Sequence, residues 1–485
     1  MRNMKIKLIV TIVLAAGMTL GVRGQDPANE LVLNLQEAVD YAISFNKSLK
    51  NARLEVERSR RSVWEAIAQG LPQVDGAVDY MTYFNYELAF SFGSGGDFNF
   101  TQDQLIEAFN QTQSQPAFQD ITPTDILRHE AGNYYDGVLQ SMLPPTTILM
   151  SDQATAKLQL SQLIFSGQYI VGIQTAKLAQ KITEQNLEFN ELNIKESVIN
   201  GYYLVLITEE SLDILEQNLE NLKKTMEQTE NMFNAGMAEK TDVDQIRITV
   251  NQLENSRNAL NRNLELNYNM LRFQLGLDAN VEIRLTDNLE SLFTSLQPET
   301  ALTVPFSIEN NVTYQIMKSQ EEINKKLLDM EHWNFAPTLA GFYNYNAKIM
   351  TTGFDMTPNH LAGLSLAVPI FSSGMRKARV DQARIDYDMS QTNRSILEDQ
   401  LQLQEKQIKY NLQSSLENFI TQQENVEVAQ SVYDSYRRKF EQGMATSLDL
   451  TQANSNYLDA ESNYLTAILE VMNAKLQLDK LMNNL

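Results

Sequence analysis

Phe440-Glu-Gln-Gly443-Met-Ala-Thr-Ser-Leu-Asp449 decides how the chain is read. Gly443 suits the position just past a helix end, where a left-handed backbone costs glycine nothing. Thr446 and Asp449 have the spacing of a capping box that opens the next helix. Beyond it Leu450, Ala453, Tyr457, Ala460, Tyr464, Ala467, Val471, Ala474, Leu478 and Leu481 step 3, 4, 3, 4 without a break, the seam of a coiled coil. Two antiparallel helices meet at a tight turn.

The same construction stands 207 residues earlier, in Phe233-Asn-Ala-Gly236-Met-Ala-Glu-Lys-Thr-Asp242. Here the expected box is Thr241 with Asp244. A seam from Val243 and Ile246 to Leu271 and Gln274 follows at the same offset. The chain is an internal duplication, and each part is to be read twice.

Moving outward, Gly167 to Gly236 and Gly374 to Gly443 are both 69 residues, and heptad leucines mark the lower half of the first. A helix of that length is about 100 Å long, more than a globular domain needs. Asn46 and Pro72 are 26 residues apart, as are Asn311 and Pro337. Leu35 to Ala68 reads as one helix and the second pair places a helix at about Ser307 to Trp333, each stopped by proline. A short helix and a return helix laid end to end match the long one. Between proline and long helix the period changes to 2. Val74 to Tyr86, Ile148 to Phe165, Leu339 to Tyr345 and Leu364 to Ile370 read as strands, with Ala154, Ala156, Leu158 and Leu160 alternating against Thr155, Lys157, Gln159 and Ser161. The copies differ chiefly in their outer hairpins, the first being 59 residues longer, with a short helix expected near Gln104 to Gln111.

These limits give a first repeat over 25–277 with a long outer loop at 91–147, a linker over 278–304 with a strand-like Val281 to Leu285, and a second repeat over 305–485 with its hairpin at 338–371. Ahead of them Arg2, Lys5 and Lys7 precede an apolar run from Leu8 to Leu20, which reads as a secretory signal peptide over 1–24. The formal charge of −22 becomes −26 once Arg2, Lys5, Lys7 and Arg23 are removed. Such a surface repels nucleic acid and anionic lipid faces, and suits solubility or a cation-selective lumen. The longest later apolar run, Leu361 to Phe371, has 11 residues, too short for a membrane helix and right for a tilted membrane strand.

Four strands cannot close a membrane barrel, and lipid does not tolerate open sheet edges. The chain must pool strands with identical copies, and three copies supply about 12, enough to leave a lumen. A second apolar stripe on the first return helix, Ala259, Leu266 and Phe273 with Met270 and Leu277, gives that helix neighbours on both sides, as in a ring.

The chain resembles the TolC-type outer-membrane efflux proteins over essentially its whole mature length. The resemblance rests on the opening from Leu35 to Asn46, the Leu71-Pro72 and Ala336-Pro337 strand entries, the Val368-Pro369-Ile370-Phe371-Ser-Ser-Gly374 strand exit, and the two Phe-x-x-Gly-Met-Ala turns. It implies a mainly α fold with membrane β: a homotrimeric 12-stranded β-barrel in outer-membrane lipid, four strands per chain, continued by a long α-helical barrel across the periplasm. It further implies a passive channel that takes substrates from a periplasmic adaptor and an inner-membrane pump to the exterior. Phe233, Gly236, Met237 and Ala238, with Phe440, Gly443, Met444 and Ala445, fall at the adaptor-binding tip. Asp242 and Asp449 fall at the pore constriction, with Gln452 where the family usually has a second acid. Leu163 replaces the usual proline at the first strand exit, and Ala445 stands where some members carry a lock-forming arginine.

Catalytic chemistry has no foothold. His129, His332 and His360 are scattered and cysteine is absent, so no metal site is expected; no nucleotide-binding or serine-hydrolase motif occurs, so no cofactor is expected either. The rival reading is a secreted or periplasmic structural coiled coil without transport, which explains the heptads but not the matched hairpins.

Overall fold

The computed structural model describes residues 30–82, 84, 86–90, 146–150, 152–350 and 358–485. The expected signal peptide and the expected short helix near Gln104 to Gln111 lie outside them.

The described chain forms two compact units, a helical one (30–63, 173–329 and 377–485) and a sheet one (64–172 and 330–376). In chain order the elements are β1 (Glu30–Leu33), α1 (Leu35–Phe45), α2 (Lys47–Ala68), β2 (Gln73–Met81), β3 (Tyr86–Phe90), β4 (Thr146–Met150) and β5 (Gln153–Phe165). They continue with α3 (Gly167–Asn234), α4 (Lys240–Leu275), β6 (Glu282–Leu285), α5 (Leu289–Ser295), α6 (Pro298–Ala301) and α7 (Val312–Trp333). The chain closes with β7 (Thr338–Met350), β8 (His360–Ala367), α8 (Met375–Glu441) and α9 (Ser447–Met482). The duplication is visible in the lengths: α3 and α8 have 68 and 67 residues, α2 and α7 both 22, α4 and α9 both 36.

In the helical unit the seam of α9 is core: Leu450, Ala453, Ala467, Val471 and Leu478 are all buried. Ile246 and Val250 of α4 join Leu219 and Leu222 of α3, Tyr433 and Phe440 of α8 and Leu450 of α9 in one cluster beside the turns. At about 25 cal/mol per Å², burying each such side chain contributes roughly 1.5 to 3 kcal/mol, far more than helix propensity.

Leu35 to Ala68 is not one helix. Asn46 breaks it (φ −59, ψ 129), because its side chain offers a better set of hydrogen bonds than the helix does. Its Oδ1 accepts from the N–H groups of Ser48 (2.8 Å) and Leu49 (3.2 Å), while Nδ2 donates to the Gln274 carbonyl at the end of α4 (2.7 Å). Asn311 repeats the device, accepting from Tyr314 N–H (3.2 Å) and donating to the Leu481 carbonyl of α9 (3.0 Å). Short and return helices are thus stacked end to end in both copies. Gly276, at φ +78, closes α4 so tightly that a Cβ there would lie 2.8 Å from the Phe45 carbonyl oxygen. Against these joints lie two further core clusters, one built on Tyr202 and Leu206 of α3 with Ala38, Leu271 and Leu275, the other on Leu401 and Leu412 of α8 with Tyr314 and Leu478.

β1 was not expected. It pairs in parallel with β6, and Asp287 just beyond β6 accepts from Leu35 N–H (2.7 Å) and Tyr202 Oη (2.8 Å), fixing the start of α1.

In the sheet unit β2, β5, β7 and β8 form one antiparallel sheet in that order, and β3 pairs with β4 as a separate hairpin. The strand expected over Leu364 to Ile370 runs instead from His360 to Ala367. Pro369 has no N–H to give the ladder, so pairing stops short of it.

Candidate functional site

Alternation along each strand and the register between strands sort the sheet into two faces. Val74, Val78, Leu158, Leu160, Tyr343, Leu364 and Leu366 share one face, since Val74 pairs with Leu160, Leu160 with Tyr343, and Gly341 with Leu364. These side chains are exposed in the single chain, Val74, Val78 and Leu364 by 68 to 74%. Asp75, Asp79, Lys157, Gln159, Asn344 and Asn346 share the other. A sheet apolar on one side and charged on the other is a wall between lipid and water. No described helix is long and apolar enough to cross a membrane. Within the described sheet β2 and β8 each have one neighbour, so both outer edges are open.

The helix turns form the second site. In each the α-helix ends on a left-handed glycine, Gly236 (φ +78) and Gly443 (φ +70), around which a Cβ would meet nothing within 4 Å. The N–H of Met237 donates to the Met232 carbonyl and that of Met444 to the Lys439 carbonyl, both at 2.8 Å. Met237 and Met444 are 70 and 67% exposed and Phe233 is 40% exposed. Phe440 is buried and Ala445 packs against the same cluster, so these two hold the turn from inside. Ala238 is half-buried.

α9 opens as expected: Thr446 Oγ1 accepts from Asp449 N–H (3.1 Å) and Asp449 Oδ2 accepts from Thr446 N–H (3.0 Å). The Thr446 hydroxyl, which also donates to Asp449 Oδ2 (2.7 Å), and then the Thr446 N–H hold the exposed Asp449 carboxyl below the usual carboxylate range. α4 does not open on Thr241 and Asp244. It starts at Lys240 after Glu239, whose N–H donates to Asp242 Oδ2 (3.0 Å), because the equivalents of Thr446 and Asp449 are Glu239 and Asp242. Asp242 also reaches across the tip, its Oδ1 accepting from the buried Ser447 hydroxyl of α9 (2.7 Å). The structure therefore joins Asp242 to the start of the other return helix. Gln452 is exposed and donates to Asn456 one turn on (2.9 Å).

Two features escaped the sequence reading. Ser447 carries no motif of its own. Asn218 of α3 and Asn454 of α9, 4 and 1% exposed, exchange amide hydrogen bonds at 2.6 and 3.2 Å. Each asparagine stands one residue from a seam position, Ala453 and Leu219, so the heptad pattern itself gives no sign of the pair.

A duplicated helical-hairpin chain carrying a sheet apolar on one face and charged on the other suits an outer-membrane channel. The chain belongs to the outer membrane efflux protein family, whose sequence profile matches residues 148–277 and 329–484. It is 21% identical over 350 residues to the outer membrane protein TolC of Vibrio cholerae serotype O1, covering 68% of this chain and 76% of that protein. Its fold is that of CusC (TM-score 0.68, 14% identity, covering 93% of this chain and 92% of the other) and of VceC from Vibrio cholerae (TM-score 0.65, 15% identity, covering 92 and 95%). The protein is an outer-membrane efflux channel component whose membrane part is β-sheet.

Proposed function

We propose that three copies close one 12-stranded barrel and one helical barrel, forming a passive conduit that receives substrates from a periplasmic adaptor and an inner-membrane pump. The observation that carries this reading is the pair of open edges, β2 and β8, on a sheet whose apolar face is exposed. Unpaired backbone groups in hydrocarbon cost several kcal/mol each, so β8 of one copy pairs with β2 of the next. The exposed stripe on α4, with Leu266 at 57%, Met270 at 49% and Phe273 at 83%, supports the same conclusion for the helices. In this reading 1–24 is a removed signal peptide, 25–277 and 305–485 are the two repeats, and 278–304 links them.

Adaptor docking falls to the turns. Phe233, Met237 and Met444 offer exposed apolar surface, and thioethers suit a contact that must adapt. Gly236, Ala238, Phe440, Gly443 and Ala445 set its shape. Asp242 and Asp449 form the acidic constriction, with the neutral Gln452 one turn on. Like charges gathered on a threefold axis fall within a Debye length of about 8 to 10 Å and attract cations.

Mass measurement in detergent tests the assembly: three chains are expected, and a stable, channel-forming monomer refutes it. Gly443→Glu is expected to abolish export while leaving trimer and membrane insertion intact. Normal export in that variant removes the turn from the docking site.

A further inference from the structure

Helix by helix the two copies superpose in sequence without gaps, α2 on α7 at an offset of 265 residues and α3 on α8, beyond the unequal hairpins, at an offset of 207. At equivalent positions the docking of short helix on long helix is chemically opposite. In the second copy Arg394 of α8 donates from Nε to Glu321 Oε2 (2.6 Å) and from Nη1 to Glu398 Oε1 (2.9 Å) and Tyr314 Oη (3.1 Å). Tyr314 Oη donates to Glu398 Oε1 (3.0 Å), and its ring is buried. In the first copy the places of Tyr314, Glu321 and Arg394 are taken by Leu49, Val56 and Leu187, while Glu191 stands for Glu398. Leu49 is fully buried and Val56 nearly so. The ion pairs that cross between short and long helix run in opposite directions as well. In the first copy the cations lie on the short helix, Arg53 facing Glu191 (3.4 Å) and Arg60 facing Glu184 (3.6 Å). In the second the crossing cation is Arg394 on the long helix; α7 keeps lysines at the places of Arg53 and Arg60, Lys318, which turns to Glu309 (3.0 Å), and Lys325.

We propose that this reversal is a pairing code which keeps the two short helices, α2 and α7, from exchanging places within one chain or between copies of it during assembly. With α7 in the place of α2, the Glu321 carboxylate would face Leu187 beside Glu191, with no guanidinium opposite. With α2 in the place of α7, Arg394 would face Val56. The first exchange leaves the part-buried Glu321 without its guanidinium, and the second leaves Arg394 with only Glu398 of its own helix, a costly loss in either case, whereas two apolar docks would accept either helix. Duplicated chains are prone to such exchange, because each helix meets two surfaces of nearly equal shape. The contact of Lys181 on α3 with Glu322 on α7 (4.0 Å) follows the same rule: α7 presents acid to both long helices.

The absence of cysteine makes the test direct. Arg60→Cys with Glu184→Cys reports the native pairing of α2 with α3. Arg60→Cys with Gln391→Cys reports α2 seated on α8, since Gln391 occupies the place of Glu184. Both reporters are read by disulfide formation in cell membranes and in the unassembled fraction, so a poorly assembling variant is still scored. Val56→Glu with Leu187→Arg makes the first dock ionic like the second, and Glu321→Val with Arg394→Leu makes the second apolar like the first. Either pair is expected to raise the Arg60–Gln391 crosslink about tenfold over the unmodified background, the ratio that one modest lost discrimination supports. If both pairs alter thermal stability yet give only the native crosslink, the ion pair is a local stabiliser and the code does not exist.

Discussion

Asn46 does two separable things, and substitution can tell them apart. Its Oδ1 caps α2 and its Nδ2 satisfies a carbonyl at the end of α4, at a site only 6% exposed. Removing a helix cap costs about 1 kcal/mol. Orphaning a buried carbonyl adds about 1 to 3 kcal/mol. Asn46→Ala is therefore expected to cost about 2 to 4 kcal/mol in total. Asn46→Ser keeps an oxygen able to cap but is too short to reach Gln274, so it should lose only the second part. Asn311→Ala should behave like Asn46→Ala, and the double variant should show nearly the sum because the two share no partner. The assay is guanidinium unfolding followed by far-UV circular dichroism, at equal protein and detergent concentration because assembly shifts the midpoint. Asn46→Ser equal to the unmodified protein would mean that the Gln274 bond is worthless. Asn46→Ser equal to Asn46→Ala would mean that the cap is.

Gly236→Ala meets only left-handed backbone strain, about 1 to 2 kcal/mol, whereas Gly276→Ala adds a Cβ 2.8 Å from the Phe45 carbonyl oxygen and should cost about 2 to 5, in the same unfolding assay. Glu210 of α3 has its pKa raised by burial first and then by Asp213, Glu461 and Glu290. The folded state thus holds that proton more tightly than the unfolded chain. Stability from this group is therefore present at low pH and lost as pH rises through the raised pKa, so Glu210→Gln should raise Tm at neutral pH and flatten this part of the pH profile. Asp449→Asn, alone or with Asp242→Asn, should reduce cation selectivity and block by multivalent cations in bilayer recordings; a capping role alone predicts a stability loss of about 0.3 to 1 kcal/mol with both electrical properties unchanged.

The long helices, the glycine turns and the α9 seam were legible because each rests on local chemistry repeated many times: heptad burial, a left-handed glycine, a box of adjacent residues. What escaped depended on partners far away in sequence. β1 is four residues whose pairing with β6 lies about 250 positions off, so no periodicity marks it. The break at Asn46 was hidden because apolar spacing continues through it, and only the Gln274 carbonyl makes a broken helix the better choice. The box of α4 was misplaced because Glu239 is not a preferred cap, though its offset from Gly236 pointed to it. The candidate tip residues were readable as a group. That Phe440 and Ala445 face inward while Met237 and Met444 face out required packing to be seen.

The end-to-end joints at Asn46 and Asn311 have a mechanical consequence. A rod made in two lengths bends where they meet, and here only an asparagine amide and its neighbours hold the meeting point. Yet α3 runs unbroken past the first joint, its Tyr202 and Leu206 clustered with Leu271 and Leu275 of α4 and its Glu191 facing Arg53 of α2, and Leu401 and Leu412 of α8 belong to the cluster at the second. The helices are lapped like courses of brick, each seam backed by an uninterrupted member. Bending stress that would open a joint is carried in shear along the coiled-coil interface beside it.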